Sequence, residues 1–138
     1  MEQQIKYQYN DGNGRQLYTV VKFPNKEFRR LRTDITGKEV WNWDGIKQVP
    51  YRWPDIKDQR AIIFVEGEKD VDNLHDIGLI ATTIAGGSNA WSPLLKKQSD
   101  FPEKYFSGFD QAFIIPDNDE SGKKFAQETG EHIREFVS

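Results

Sequence analysis

Over residues 1–58 the chain alternates short apolar and polar runs separated by turn signals. "IKYQY" leads into "NDGNG", "QLYTVVKF" into "PNK", "EFRRLR" into "TDITGK", and "EVWNW" follows. Runs rich in Tyr, Val, Phe and Trp between Asn/Asp-Gly punctuation predict antiparallel hairpins. "YRWPDIKDQ" predicts a short linking helix, with Pro54 in the first turn, where its missing N–H leaves no bond unmade.

The pattern changes after residue 58. "AIIFV" is a continuous apolar run, as a strand covered on both faces requires. "EKDVDNLHDIG" places Val71, Leu74 and Ile77 at near-helical spacing, with Gly78 as the stop. "LIATTIA" predicts a second strand, "SPLLKKQ" a short helix with Pro93 early in it, and "AFII" a third strand. "SGKKFAQETGEHIREF" predicts a long amphipathic helix with Phe125, Thr129, Ile133 and Phe136 along one stripe. Strands alternating with helices across short links imply right-handed crossovers and a parallel sheet. Residues 59–138 therefore read as an α/β domain and residues 1–58 as a smaller hairpin region. There is no internal repeat and no low-complexity segment.

Composition narrows the class. The 138 residues fit one ordinary domain or a compact domain with an appendage. No apolar run approaches the ~20 residues of a membrane helix, nothing signal-like follows Met1, and a cytoplasmic protein is the simplest reading. With no cysteine, disulfides, thiolate zinc sites and cysteine nucleophiles are excluded from this stretch. The net charge of −3 conceals an asymmetry. Residues 1–59 carry 11 Lys+Arg against 8 Asp+Glu, and residues 60–138 carry 8 against 14. A mildly basic first part and an acidic second part point to a phosphate-facing surface beside a cation-binding one.

The acidic residues fall where an α/β sheet binds ligands, just beyond the carboxyl ends of its strands. Glu66 follows "AIIFV", and Asp117 and Asp119 follow "AFII" and Pro116. If the first and third strands are neighbours, three carboxylates converge on one edge. Such a cluster resists joint ionisation unless a cation holds it, and hard oxygen ligands of this kind suit Mg²⁺ or Mn²⁺. The same stretch has a second reading. Asp117, Asp119, Ser121, Gly122 and Glu128 stand at positions 1, 3, 5, 6 and 12 of an EF-hand calcium loop. That reading needs an incoming helix where "QAFII" is short, β-branched and closed by proline. It also puts Lys124 at an apolar position and lacks a partner loop. Ser121, Gly122 and Glu128 are better read as helix N-cap, helix entry and surface charge.

"FVEGEKDVDNLHDIGLIATTIAGGSNAW" followed by "AFIIPDNDESGKKFAQE" resembles the TOPRIM domain of primases, topoisomerases, recombination proteins and some nucleases. The resemblance covers residues 60 to 135 and rests on "VEG" and "DxD", each after a strand. It is nearest to primases and primase-helicases of phages, plasmids and mobile elements. It implies a Rossmann-like parallel sheet with flanking helices, in which Glu66 is the general acid/base of nucleotidyl transfer. Asp117 and Asp119 would be metal ligands beside Glu66, and Asp70, the aspartate of "EGxxD", would support the site. It also implies Mg²⁺ or Mn²⁺, a single-stranded DNA template, nucleoside triphosphates, and a zinc ribbon and helicase in the same or a partner chain. A fourth strand, usual in the family, would follow the last helix, so the chain reads as cut from a longer protein.

Further residues bear on nucleic acid. Lys26, Arg29, Arg30 and Arg32 surround Phe28, with Trp41 and Trp43 on what the pattern makes the paired strand. Basic and aromatic side chains on a sheet can track a single strand, although the rings can equally be the hairpins' core. Gly86 and Gly87 of "AGGSNAW" can form an anion nest, and Lys69 and Lys123 are candidate phosphate contacts. His75 and His132 read as structural or solvated. The leading expectation is primer synthesis, with a TOPRIM nuclease and a catalytically idle nucleic-acid-binding module as the alternatives.

Overall fold

The computed structural model describes residues 3–137. The first four strands are β1 (Ile5–Asn10), β2 (Gln16–Lys22), β3 (Phe28–Thr33) and β4 (Glu39–Val40), paired antiparallel in chain order. Two of the turns between them are the same device. Asp11 Oδ1 accepts the N–H groups of Asn13 and Arg15 (2.9 and 3.0 Å), and Asp34 Oδ1 those of Thr36 and Lys38 (2.9 and 3.0 Å). Gly14 and Gly37 complete them at φ of 84° and 86°, a conformation that favours glycine. "DGNGR" and "DITGK" are thus one turn used twice, a recurrence that apolar periodicity does not register.

After α1 (Trp53–Ile56) come β5 (Ala61–Phe64), α2 (Glu68–Asp76), β6 (Ala81–Thr82), α3 (Trp91–Lys97), α4 (Phe101–Phe106), β7 (Gln111–Ile114) and α5 (Glu120–Ile133). The three strands form a parallel sheet in the order β6-β5-β7. The expected mixed architecture, a parallel sheet with flanking helices preceded by antiparallel strands, is the one observed. Phe64 pairs with Thr82 on one side and Ile114 on the other, so the strands finish level. That register puts whatever follows them on one edge.

Several details differ from expectation. "LIATTIA" contributes only a two-residue strand, because the Thr83 carbonyl accepts the N–H of Tyr51 (2.9 Å) instead of continuing the ladder. Ile77 is 73% exposed, since α2 ends at Asp76 and Gly78, at φ 86°, turns the chain away. The helix α4 is unanticipated; Phe101 and Phe106 are fully buried in it. β4 ends before the tryptophans. Trp41 lies half exposed near Phe23 (5.9 Å between ring centres), while Trp43 packs on Tyr18 at 4.4 Å.

The two sheets share a core. Tyr7, Tyr9, Tyr18 and Val20 occupy one face of the antiparallel sheet and pack in the same cluster as Ile56, Ile62, Phe64 and Val71. Phe64 sits among Phe106, Trp91 and Phe125, at 5.2, 6.2 and 6.2 Å between ring centres. Thr129, the one polar member of the α5 stripe, accepts the Trp91 Nε1–H at 2.9 Å, which satisfies both buried groups. His75 bonds the backbone of Ala81 and His132 lies against Trp91, both structural as read. Among the described residues no helix is long and apolar enough to cross a membrane.

Candidate active site

Glu66 leaves the central strand two residues after Phe64 and is held from several sides. Thr83 Oγ1 donates to its carbonyl at 3.2 Å. Gly87, at φ 60°, lies beside it, where a Cβ would make an ordinary 3.4 Å contact with that same carbonyl oxygen. Ser121 Oγ, from the first turn of α5, donates to Glu66 Oε1 at 2.8 Å. Oε2 is buried and has no hydrogen-bond partner among the described residues. Burial is the largest influence on this carboxyl and raises its pKa; the Ser121 hydrogen bond opposes that, and the charges of Asp117 and Asp119 add to the rise. A side-chain interaction with Asp117 is a further, smaller cause of the rise.

Asp117 and Asp119 follow β7 on the neighbouring strand, both exposed. The Asp119 N–H bonds the Asp117 carbonyl at 2.9 Å, and Asp119 Oδ1 accepts the Gly122 N–H at 2.6 Å. Asp119, not Ser121, is therefore the N-cap of α5. A Cβ on Gly122 would collide with the Asp117 backbone, so glycine is what lets the acidic loop fold down onto the helix. Glu128 pairs with Lys124 at 3.7 Å. It lies eight residues into α5, roughly 12 Å along the axis from the helix start. The charges of Asp117 and Asp119 act on Glu66, while Glu128 stands along the helix beside Lys124, and the calcium-loop reading does not describe this chain.

Among the described residues no three carboxylate or imidazole groups are close enough to hold a metal ion unaided. The donor set still suits a Mg²⁺-like ion, which binds through one or two carboxylates and keeps the rest of its shell for water and phosphate. The buried Glu66 Oε2, an acceptor with no donor facing it among the described residues, is the observation that fits such a cation.

These groups line a cleft of about 440 Å³ between the two sheets. Glu66, Glu68, Asp70 and Asp117 supply its acidic side, Gly67, Gly86 and Gly87 its backbone, and Phe28, Arg29, Arg30 and Trp43 the opposite wall. Arg30 lies over the Trp43 ring at 4.4 Å, a cation–π stack that holds the guanidinium in place. Arg29 lies over Phe23 at 5.4 Å and pairs with Glu27 at 3.5 Å. The structure thus brings Glu66, Asp70, Asp117, Gly86, Gly87, Arg29 and Arg30 together. Asp119 stands just outside as the helix cap. Lys26, Lys69, Arg32 and Lys123 do not line the cleft. Lys26 occupies the β2–β3 turn, Arg32 Nε donates to Asn42 at 2.9 Å, and Lys123 pairs with Glu120 at 3.6 Å.

Two contacts of the site were not read from the sequence. Glu68, 7% exposed, accepts from the Tyr9 hydroxyl at 2.8 Å. Burial raises its pKa, while that hydrogen bond opposes the rise. The Ser121 bond to Glu66 is the second. No local pattern marks either contact, because the partners lie 59 and 55 residues away.

No protein-family model and no curated protein matches the sequence. Solved structures do match in fold. The primase fragment of the bacteriophage T7 primase-helicase protein superposes over 98% of this chain and 50% of its own, at a TM-score of 0.63 and 18% identity. The E. coli primase catalytic core matches over 94% of this chain and 39% of its own, at 0.62 and 16%. A T7 assembly, in which the lagging-strand DNA polymerase interacts with primase domains bound to an RNA/DNA hybrid and dTTP, matches at 0.62 and 20%, over 94% of this chain and 60% of that one. The chain therefore has the TOPRIM fold of these primases, and it spans about two fifths to three fifths of the length of the structures it resembles.

Proposed function

We propose that this chain is the catalytic module of a primase-like protein, joining ribonucleotides into primers on single-stranded DNA with Mg²⁺ or Mn²⁺. The observation that carries this reading is the cleft itself. One wall offers Glu66 and Asp117, the other Arg30 braced on Trp43, across a space lined by glycine backbone. Nucleotidyl transfer needs that opposition. Phosphates must be gripped by cationic groups, and the attacking hydroxyl must lose a proton near acidic oxygens.

In this reading Glu66 and Asp117, with Asp119 beside them, would hold a divalent cation, which would supply neutralisation of phosphate charge and a lowered hydroxyl pKa. Glu66, whose carboxyl pKa is raised by burial, takes and returns the proton. Arg30 and Arg29 hold the backbone of template or nucleotide, and Gly86 and Gly87 let a phosphate approach the main chain. Asp70 supports the acidic side. The matched structures are primases, one of them bound to an RNA/DNA hybrid and dTTP, which supports the substrate class. The zinc ribbon and helicase expected from the resemblance would lie in the same or a partner chain.

Full-length protein incubated with single-stranded templates, ribonucleotides and Mg²⁺ or Mn²⁺ tests the reading. Extended ribonucleotide products support it. Shortened template strands point instead to a TOPRIM nuclease, and binding with neither product points to an idle module.

A further inference from the structure

The helix α5 has no use for the Ser121 hydroxyl. Asp119 already caps it, and alanine at the second helical position would be the better helix former. The hydroxyl is spent on Glu66 instead, donating to Oε1 at 2.8 Å. Among the described residues this is the hydrogen bond that the Glu66 side chain accepts, and it leaves Oε2 buried without a partner. The Thr83 hydroxyl, bonded to the Glu66 carbonyl, fixes where Glu66 starts, but it does not fix where the carboxylate points. A glutamate side chain has several rotatable bonds, and an unheld one turns readily towards water.

We propose that Ser121 is the positioning residue of the site: its hydroxyl pins Oε1 and thereby reserves Oε2 for the cation or reacting hydroxyl in the cleft. The inference rests on the divalent-metal reading above and adds a residue to it. Ser121 and Gly122 then divide the work of the α5 entry. Gly122 lets the Asp117 backbone settle against the helix, and Ser121 aims the partner carboxylate from the next strand. Groups that orient a metal-binding side chain in this way matter nearly as much as the ligand itself.

Mn²⁺ binding to the 138-residue chain, read from the loss of the free-ion paramagnetic resonance signal, tests this without any catalytic assay. Wild type is compared with Ser121→Ala, Ser121→Thr and Glu66→Gln, with thermal melting as the check on folding. Ser121→Ala is expected to bind Mn²⁺ roughly tenfold more weakly, while Ser121→Thr stays within about twofold of wild type. Melting of both should match wild type. If Ser121→Ala binds as wild type does and Glu66→Gln binds weakly, the positioning role is wrong and the metal reading stands. An equal loss in the threonine variant also counts against the hydroxyl. If wild type binds no better than Glu66→Gln, the metal reading fails and this inference with it.

Discussion

The Tyr9 hydroxyl donates a 2.8 Å hydrogen bond to Glu68 Oε2 in the interior, tying the antiparallel sheet to the first residue of α2. Glu66 lies two residues before that helix and Arg30 on the sheet that Tyr9 belongs to, so this bond helps set the distance between the cleft's two walls. Removing the hydroxyl leaves a buried carboxylate short of a donor, at a cost of about 1–3 kcal/mol. Tyr9→Phe should lower the urea-unfolding free energy by that amount. Unchanged stability would mean that the sheets are fixed by apolar packing alone.

Gly122 and Gly130 occupy the same helix with opposite consequences. A Cβ at Gly122 meets the Asp117 backbone, whereas one at Gly130 meets only Ile114 Cδ1 at 3.7 Å, an ordinary contact. Gly130→Ala should therefore stabilise the chain by up to about 1 kcal/mol through helix propensity. Gly122→Ala should destabilise it and displace the acidic loop. Denaturant titration of the two variants checks the contrast, which disappears if the loop can lift away freely.

The legible and illegible parts of this molecule separate by range. "AIIFV" and "AFII" announced themselves as strands by their unbroken apolar runs, and that placed Glu66, Asp117 and Asp119 at strand ends, although Phe113 and Ile115 stay half exposed and only the first run is a buried strand. Whether they met depended on β5 and β7 being neighbours, which the pattern assumed and the pairing shows. Ser121 looked like a helix cap because serine usually is one at that point; Asp119 took the role since its side chain reached the Gly122 N–H first. The docking of the two sheets through Tyr9, Tyr18 and Tyr51 left no local trace, for alternating aromatics read the same whether they meet solvent, DNA or another layer. Trp43 shows the point: it is both core, against Tyr18, and cleft wall, beneath Arg30.

All five tyrosines have their ionisation pushed up, with burial the largest cause in each. A group whose folded pKa is raised gives stability that is fully present below its unfolded pKa, near 10 for tyrosine. That stability is lost as pH rises through the folded value. Absorbance at a phenolate wavelength should stay flat through about pH 10 and then climb together with loss of native circular dichroism. A tyrosine that titrates normally while the fold is intact would contradict the buried aromatic layer.

Arg30 faces the cleft on a fixed ring, while Lys123 is paired with Glu120 outside it. Arg30→Ala should weaken binding of single-stranded DNA and reduce the salt dependence by about one phosphate contact. Lys123→Ala should change neither. Fluorescence anisotropy over a salt series distinguishes them, and equal effects would place the nucleic acid elsewhere on the surface.

Primer synthesis by substituted full-length protein tests the central assignment most directly. Glu66→Gln and Asp117→Asn should each reduce product by about 100-fold or more, the scale of a lost proton-transfer or charge-stabilising group. Glu128→Gln, on the far part of α5, should leave the rate unchanged. Wild-type priming by Glu66→Gln, or its loss in Glu128→Gln, would contradict the site described above.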